Sequence, residues 1–217
     1  GKLPKICYVY PLYSQGDARD MLFYGKNTRE LIPTVIHPNV IFDGAVVWSG
    51  FSRPTKNTTY DHLNHGILRT IYDSHGNSME FVGTIIANHP KKYSEKILHA
   101  EMIARIAKNI LGADGVLITK DSGGQADTDL MKICETCENH GVKTTLITME
   151  FAGNKGSSKG ALVDSSPHAD AIVSLGNCAE PIELPAMERI LGGSSLKNQN
   201  CIPTDQNGAK RSQKVFN

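Results

Sequence analysis

The sequence has no long apolar stretch, and none of its runs approaches the roughly 20 residues that a membrane-spanning helix needs. Its opening residues, GKLPKICYVY, lack the apolar core and small-residue cleavage site of a secretory signal. A cytoplasmic chain is therefore expected, with no membrane partner. Neither charge sign is in excess: 23 lysines and arginines stand against 22 aspartates and glutamates, a net charge of +1. Nucleic-acid binding would need a basic excess gathered on one face, so none is expected. Lys210, Arg211 and Lys214 read as part of a solvated tail. Cysteine is sparse and odd in number, with five in 217 residues. A chain of this size builds a core without disulfides, so reduced thiols are expected. The nucleotide fingerprints GxGxxG and GxxxxGK(S/T) are both absent. The chain opens on Gly1 rather than methionine, as a processed chain or a fragment would.

What is present is an ordinary globular composition, 40% apolar and 21% charged, enough for a sizeable core. Strand-like apolar runs fall at 6–12, 45–48, 81–87, 115–119, 142–148 and 171–175. Helical spacing falls between them, at 18–24, 58–74, 93–111 and 127–139, with a short helix at 185–191. The clearest of these, 93–111, places Ile97, Ala100, Ile103, Ala104, Ala107, Ile110 and Leu111 on one face. Such alternation predicts an α/β fold: a Rossmann-like, doubly wound, mainly parallel sheet of about six strands with helices on both faces. One α/β domain is expected over 1–193, followed by a polar C-terminal tail over 194–217.

In such a sheet, ligands sit beyond the carboxyl ends of the strands. The polar residues gathered there are Ser14-Gln15-Gly16, Ser49 to Ser52, Asn88-His89, the segment 121–129, Glu150, and Gly176-Asn177-Cys178. The 121–129 segment, DSGGQADTD, is the richest. Its glycines, Gly124 among them, permit close backbone approach, and Asp121 and Asp129 could bind an amine or exchange a proton. Asp127 and Thr128 equally suit the first turn of the following helix. Cys134-x-x-Cys137 has no second cysteine pair at zinc-site spacing, and it lies in the body of a helix rather than at the N-terminus that lowers a thiol pKa. His62 and His65 are three apart on one helix, suited to packing as well as to binding.

The ordered set of short motifs resembles a known family. The pieces are Ser14-Gln15-Gly16 with Tyr24-Gly25, Ile32-Pro33-Thr34, Asp43-Gly44-Ala45, and Thr58-Thr59 with His62-Leu63-Asn64. They continue with 114–119 (DGVLIT), 127–131 (DTDLM), the Cys134/Cys137 helix, Leu146-Ile147-Thr148 with Glu150-Phe151, and Pro185-Ala186-Met187. Over residues 4–193 the chain resembles the second half of the α/β-precursor subunit of component B of glycine, sarcosine and betaine reductases, and more distantly the D-proline reductase precursor. The resemblance implies a precursor that cleaves itself before a cysteine, which becomes an N-terminal pyruvoyl group. That carbonyl would activate an amine so that a selenolate, on this or a partner protein, displaces the C–N bond. Here the cysteine position, eight residues after Asp43, holds Phe51, which has no nucleophile. Ser49 or Ser52 could serve only by a shift of register. Asn200-Cys201 has the look of the cleavage dipeptide but lies in the polar tail. Family precursors also carry a further N-terminal region, so a fragment or a separately encoded half is expected.

The resulting expectation is a subunit of an amine-cleaving reductase complex, enzymatic as part of that complex. The candidate catalytic residues are Ser49, Phe51, Ser52, Asp121, Asp129 and Glu150. The candidate substrate-binding residues are Gln15, Trp48, Tyr60, His62 and Gly124, where Trp48, Phe51 and Tyr60 could offer aromatic faces to a quaternary ammonium or simply pack. The expected partners are a small amine or quaternary ammonium substrate, selenoprotein subunits, and further copies or subunits in an oligomer. The pyruvoyl group is a family expectation that Phe51 does not support, and no metal is expected. The alternative is a non-catalytic ligand-binding or scaffold paralogue of that subunit.

Overall fold

The computed structural model describes residues 1–14, 20–48, 57–121, 124–150 and 162–177, with Glu150 and Asn177 described by their backbone alone. In chain order the elements are β1 (Lys5–Leu12), β2 (Met21–Phe23), β3 (Lys26–Asn27), β4 (Thr34–Ile36), α1 (Asn39–Phe42), β5 (Val46–Trp48), α2 (Thr59–Leu63) and α3 (Gly66–Ser74). They continue with β6 (Glu80–Asn88), α4 (Tyr93–Arg105), β7 (Gly115–Thr119), α5 (Gln125–Asn139), β8 (Lys143–Glu150) and β9 (Ile172–Asn177). A 3₁₀ turn covers Thr28–Glu30, and a π-helical turn, Ile106–Ile110, prolongs α4.

The fold is α/β, built on a mainly parallel six-stranded sheet in the order β4-β6-β1-β7-β8-β9. Every neighbouring pair is parallel except β4 with β6. The strand β1 is buried from Cys7 to Leu12, and the period-two geometry of a strand sends its side chains to two separate cores. Cys7 and Val9 join Ala100, Ile103, Leu130 and Cys134 of α4 and α5. Tyr8, Tyr10 and Leu12 join Ile67, Leu68 and Ile71 of α3. The chain places β6 on one side of β1 and β7 on the other. Where strand order switches in this way, a crevice opens beyond the carboxyl ends.

Five of the six expected strands lie in this sheet; the run at 45–48 does not. As β5 it pairs antiparallel with β2 in a separate small sheet, β3-β2-β5, and the antiparallel β4 takes the sixth place. The helix expected at 18–24 is replaced, in its described part, by β2. The reason is the Tyr24-Gly25 pair, whose φ values of 48° and 75° match the positive dihedrals that a two-residue hairpin turn demands. Gly25 therefore turns a hairpin rather than ending a helix. The helix expected at 58–74 is two helices, split at Asn64-His65, where the His65 ring accepts from the Leu68 amide at 3.3 Å and starts α3 afresh. Among the described residues, no helix is long and apolar enough to cross a membrane. The helix expected at 185–191 and the tail at 194–217 lie outside the described residues.

Candidate functional site

On the α4/α5 side of the sheet, the carboxyl ends carry buried charge. Asp129, in the first turns of α5, receives Lys96 of α4 on both oxygens at 2.8 Å and His89 Nδ1 at 2.8 Å. The other ring nitrogen, His89 Nε2, lies 3.1 Å from the Asp121 amide. An amide can only donate, so Nε2 accepts and Nδ1 carries the hydrogen given to Asp129. Thus His89, fully buried just after β6, spans α5 and the β7–α5 loop. Its backbone is stitched to the end of β1 by Ser14, whose hydroxyl donates to His89 O and accepts from His89 N, each at 3.1 Å. Beside this network Lys120 pairs with Asp127, both about 1% exposed. The second oxygen of Asp127 accepts from the Val163 amide at 2.9 Å, tying down the segment before β9. Gly124 starts α5 with φ of 73° and with open space where a Cβ would stand, so backbone conformation rather than crowding calls for glycine there.

On the α2/α3 side the same strand ends carry hydroxyls and imidazoles instead. Tyr8 bonds His65 Nε2 at 3.2 Å and Thr119 Oγ1 at 2.8 Å. Tyr10 bonds His62 Nδ1. The rings form one cluster, with Tyr8 stacked on Tyr10 at 5.5 Å and His65 edge-on to Tyr10 at 4.8 Å. Both histidines are fully buried. Burial, followed by the neighbouring His62, holds the His65 pKa well below its ordinary value of 6.5. The helix α2 that presents His62 begins at a capping box: the Thr58 amide and hydroxyl donate to Asp61 at 2.7 and 2.9 Å, and the Asp61 amide returns to Thr58 at 3.4 Å. The Trp48 amide, at the end of β5, donates to Thr59 Oγ1 at 3.1 Å. The corner between β5 and α2 is thereby closed at its base.

Of the expected site residues, Asp121 and Asp129 are brought together through His89. His62 is joined to Tyr10, whereas Tyr60, two residues away on α2, is half exposed. Trp48 and Gly124 stand at the heads of the two loops. Gln15, Ser49, Phe51 and Ser52 lie outside the described residues, as does the side chain of Glu150. Lys96, Lys120, Tyr8 and Tyr10 were not among the expected site residues. Lys96 had a readable signal, since it precedes Ala100, Ile103, Ala104 and Ala107 on the apolar stripe of α4, where a lysine needs a buried anion. Cys7, Cys134 and Cys137 are buried in the α4/α5 core. Burial pushes the Cys7 thiol up to about 12 and raises both others, which disfavours the thiolate that redox and metal chemistry require. Among the described residues, no three His, Cys, Asp or Glu side chains gather as metal ligands.

A model of the family "Glycine/sarcosine/betaine reductase component B subunits" matches residues 1–210. The chain is 38% identical over 191 residues to the sarcosine reductase complex component B subunit alpha of Peptoclostridium acidaminophilum, covering 88% of this chain and 44% of that one. It is 38% identical over 191 residues, with the same coverage, to the glycine reductase complex component B subunits alpha and beta of Acetoanaerobium sticklandii. It is 37% identical over 196 residues to the betaine reductase complex component B subunit alpha of Peptoclostridium acidaminophilum, covering 88% and 43%. The chain thus spans less than half the length of these relatives. No solved structure matches it.

Proposed function

The chain belongs to the family of glycine, sarcosine and betaine reductase component B subunits, and from that premise we propose that it is a subunit of an amine-cleaving reductase complex working on a small amine or quaternary ammonium acid in the cytoplasm. The observation that carries this reading is the 37–38% identity, over 88% of the chain, to component B subunits named for three different amines. A selenoprotein subunit would supply the reductive partner. We read the sheet as Rossmann-like and doubly wound. The two cores on either side of β1 and the switch in strand order around it support that reading.

The residues do not fit a pyruvoyl group formed at the family position. Phe51 has no hydroxyl or thiol to start the acyl shift. The described hydroxyls that follow are committed elsewhere: Thr58 to the cap of α2 and Thr59 to the Trp48 amide. We therefore derive no step through that group, and read the β5–α2 corner as a binding site for the amine ligand. The same substitution favours a second reading, a ligand-binding or scaffold paralogue without turnover of its own.

Mass spectrometry of the purified chain tests the first point. An intact 23.6 kDa species is expected; two fragments, one carrying a carbonyl that reacts with hydroxylamine, would restore a pyruvoyl site at Ser49 or Ser52. Reduction of glycine, sarcosine or betaine by the chain reconstituted with its complex partners tests the second. Turnover supports the reductase subunit, and its absence with each substrate favours the scaffold.

A further inference from the structure

The flank of α4 that faces away from α5 is apolar. Leu98 is 56% exposed, and Ile110, on the π-helical extension, 70%. Between them Met102 and Ile106 are half-buried, at the i, i+4 spacing that stacks side chains along one flank of a helix. The π-helical turn carries that flank on to Ile110 and Leu111, where the Leu111 amide reaches back to Ile106 O at 2.9 Å. The helix α5 lies along the other flank, where Glu101 meets His140 at 3.2 Å. The stripe continues onto the sheet. Val35 of the edge strand β4 is 40% exposed, and its pairing with Ile85 puts it on the α4 side. The side chains of Leu111 and Val35 come within 3.5 and 3.9 Å of one point, where a Cβ on Gly83 would stand, so the two adjoin there. The charges beside the stripe are spent on one another, Lys92 with Glu95 and Arg105 with Glu101.

We propose that this face binds the portion of component B that the chain does not span, which lays an apolar segment along the stripe and over β4. The inference rests on the reading of the chain as a component B subunit, and deepens it by naming the face through which it assembles. Contiguous exposed apolar surface marks an interaction site. The flanking charges are already paired, so this face lacks the free charge that steers transient encounters and suits a lasting apolar contact. The relatives supply the partner: 44% of their length matches this chain, and the rest lies outside the match. A second copy is a poorer occupant. From Leu98 to Ile110 the stripe is roughly 18 Å long and about 10 Å wide, the width of one helix, well short of the roughly 800 Å² per partner of a free-standing dimer. A segment held in the same complex needs no such area, because tethering makes its contact intramolecular.

The test compares the purified chain with the complex isolated from its own cells through a tag on this chain. Hydroxyl-radical footprinting reads side-chain exposure, and labelling of Leu98, Met102 and Ile110 is expected to be lost in the complex. Cross-links from Lys92 and Lys108, toward the two ends of α4, are expected to reach sequence that belongs to the component B family and lies outside the part this chain matches. The double variant Leu98→Asp with Ile110→Asp should weaken retention of that portion by about a hundredfold, the burial of two aliphatic side chains being lost. Both positions are exposed, so the melting temperature of the free chain should not change. Equal labelling in the free chain and the complex overturns the proposal, as do cross-links that join two copies of this chain, or a double variant that keeps the partner. Each of these leaves the component B reading standing. An isolated complex without any further component B sequence overturns both.

Discussion

The two sides of β1 end in different chemistry. Toward α4 and α5 lie two buried ion pairs, Lys96 with Asp129 and Lys120 with Asp127, and His89 is held between Asp129 and the Asp121 amide. Toward α2 and α3, β1 instead meets imidazoles through its hydroxyls, Tyr8 with His65 and Tyr10 with His62, while the buried Asp61 is held in the cap of α2. Charge pairs in a low-dielectric interior are rigid, because separating either partner strands an ion. Hydroxyl–imidazole bonds can reverse direction at little cost. The first side is suited to fixing the β7–α5 loop, and the second to hydrogen bonds that hold in either direction.

The largest effect should come from breaking the charged side. Asp129→Ala strands Lys96 in the core and removes the hydrogen-bond partner of His89, so it should cost about 3–5 kcal/mol of stability in urea unfolding. Lys96→Met added to it should recover part of that loss, because the stranded charge goes too. Additive losses in the double variant would mean that the pair is not the unit we describe. The histidine side should show itself in pH dependence. The pKa of His65 is lowered in the fold, so below about 6.5 the unfolded chain takes a proton that the folded chain refuses. Stability should therefore fall as pH drops below that value, by at most about 1.4 kcal/mol per pH unit for this one group. His99 is shifted the same way by burial, so the contribution of His65 is isolated by His65→Asn. That variant keeps an acceptor for the Leu68 amide and should flatten the slope by up to one proton. An unchanged slope would remove His65 from the account.

Much of this architecture was legible because the signal was local. The β-branched run of β6 and the apolar face of α4 each declare their element within a few residues. The hairpin at Tyr24-Gly25 was misread because a glycine after an apolar run serves a helix end and a tight turn alike, and only φ at Tyr24 separates them. The strand β5 was recognised but placed in the wrong sheet, since three apolar residues do not say which edge they join. The candidate site was legible as a list of strand ends and not as pairs. His89 meets Asp129 across 40 positions and Tyr8 meets Thr119 across 111, separations that no spacing rule spans. The lysine on the core stripe of α4 announced a buried anion without naming it.

The smallest expected effect gives the sharpest test of whether the two sides are independent. Thr58→Ala removes the hydroxyl that caps α2 and leaves Asp61 without that donor. Loss of such a cap costs about 1 kcal/mol, well short of unfolding the chain. The consequence should be local. His62 rides on α2 and meets β1 through Tyr10, so a loosened first turn should move the His62 ring signals in nitrogen NMR. His65 starts its own helix and is held by Leu68 and Tyr8, so its signals should move less. His89 is anchored by Asp129, Asp121 and Ser14 on the other side of β1, and its signals should not move at all. A shift at His89 as large as that at His62 would mean that β1 transmits strain from one side to the other, and that the charged network and the Tyr10–His62 pair form a single unit.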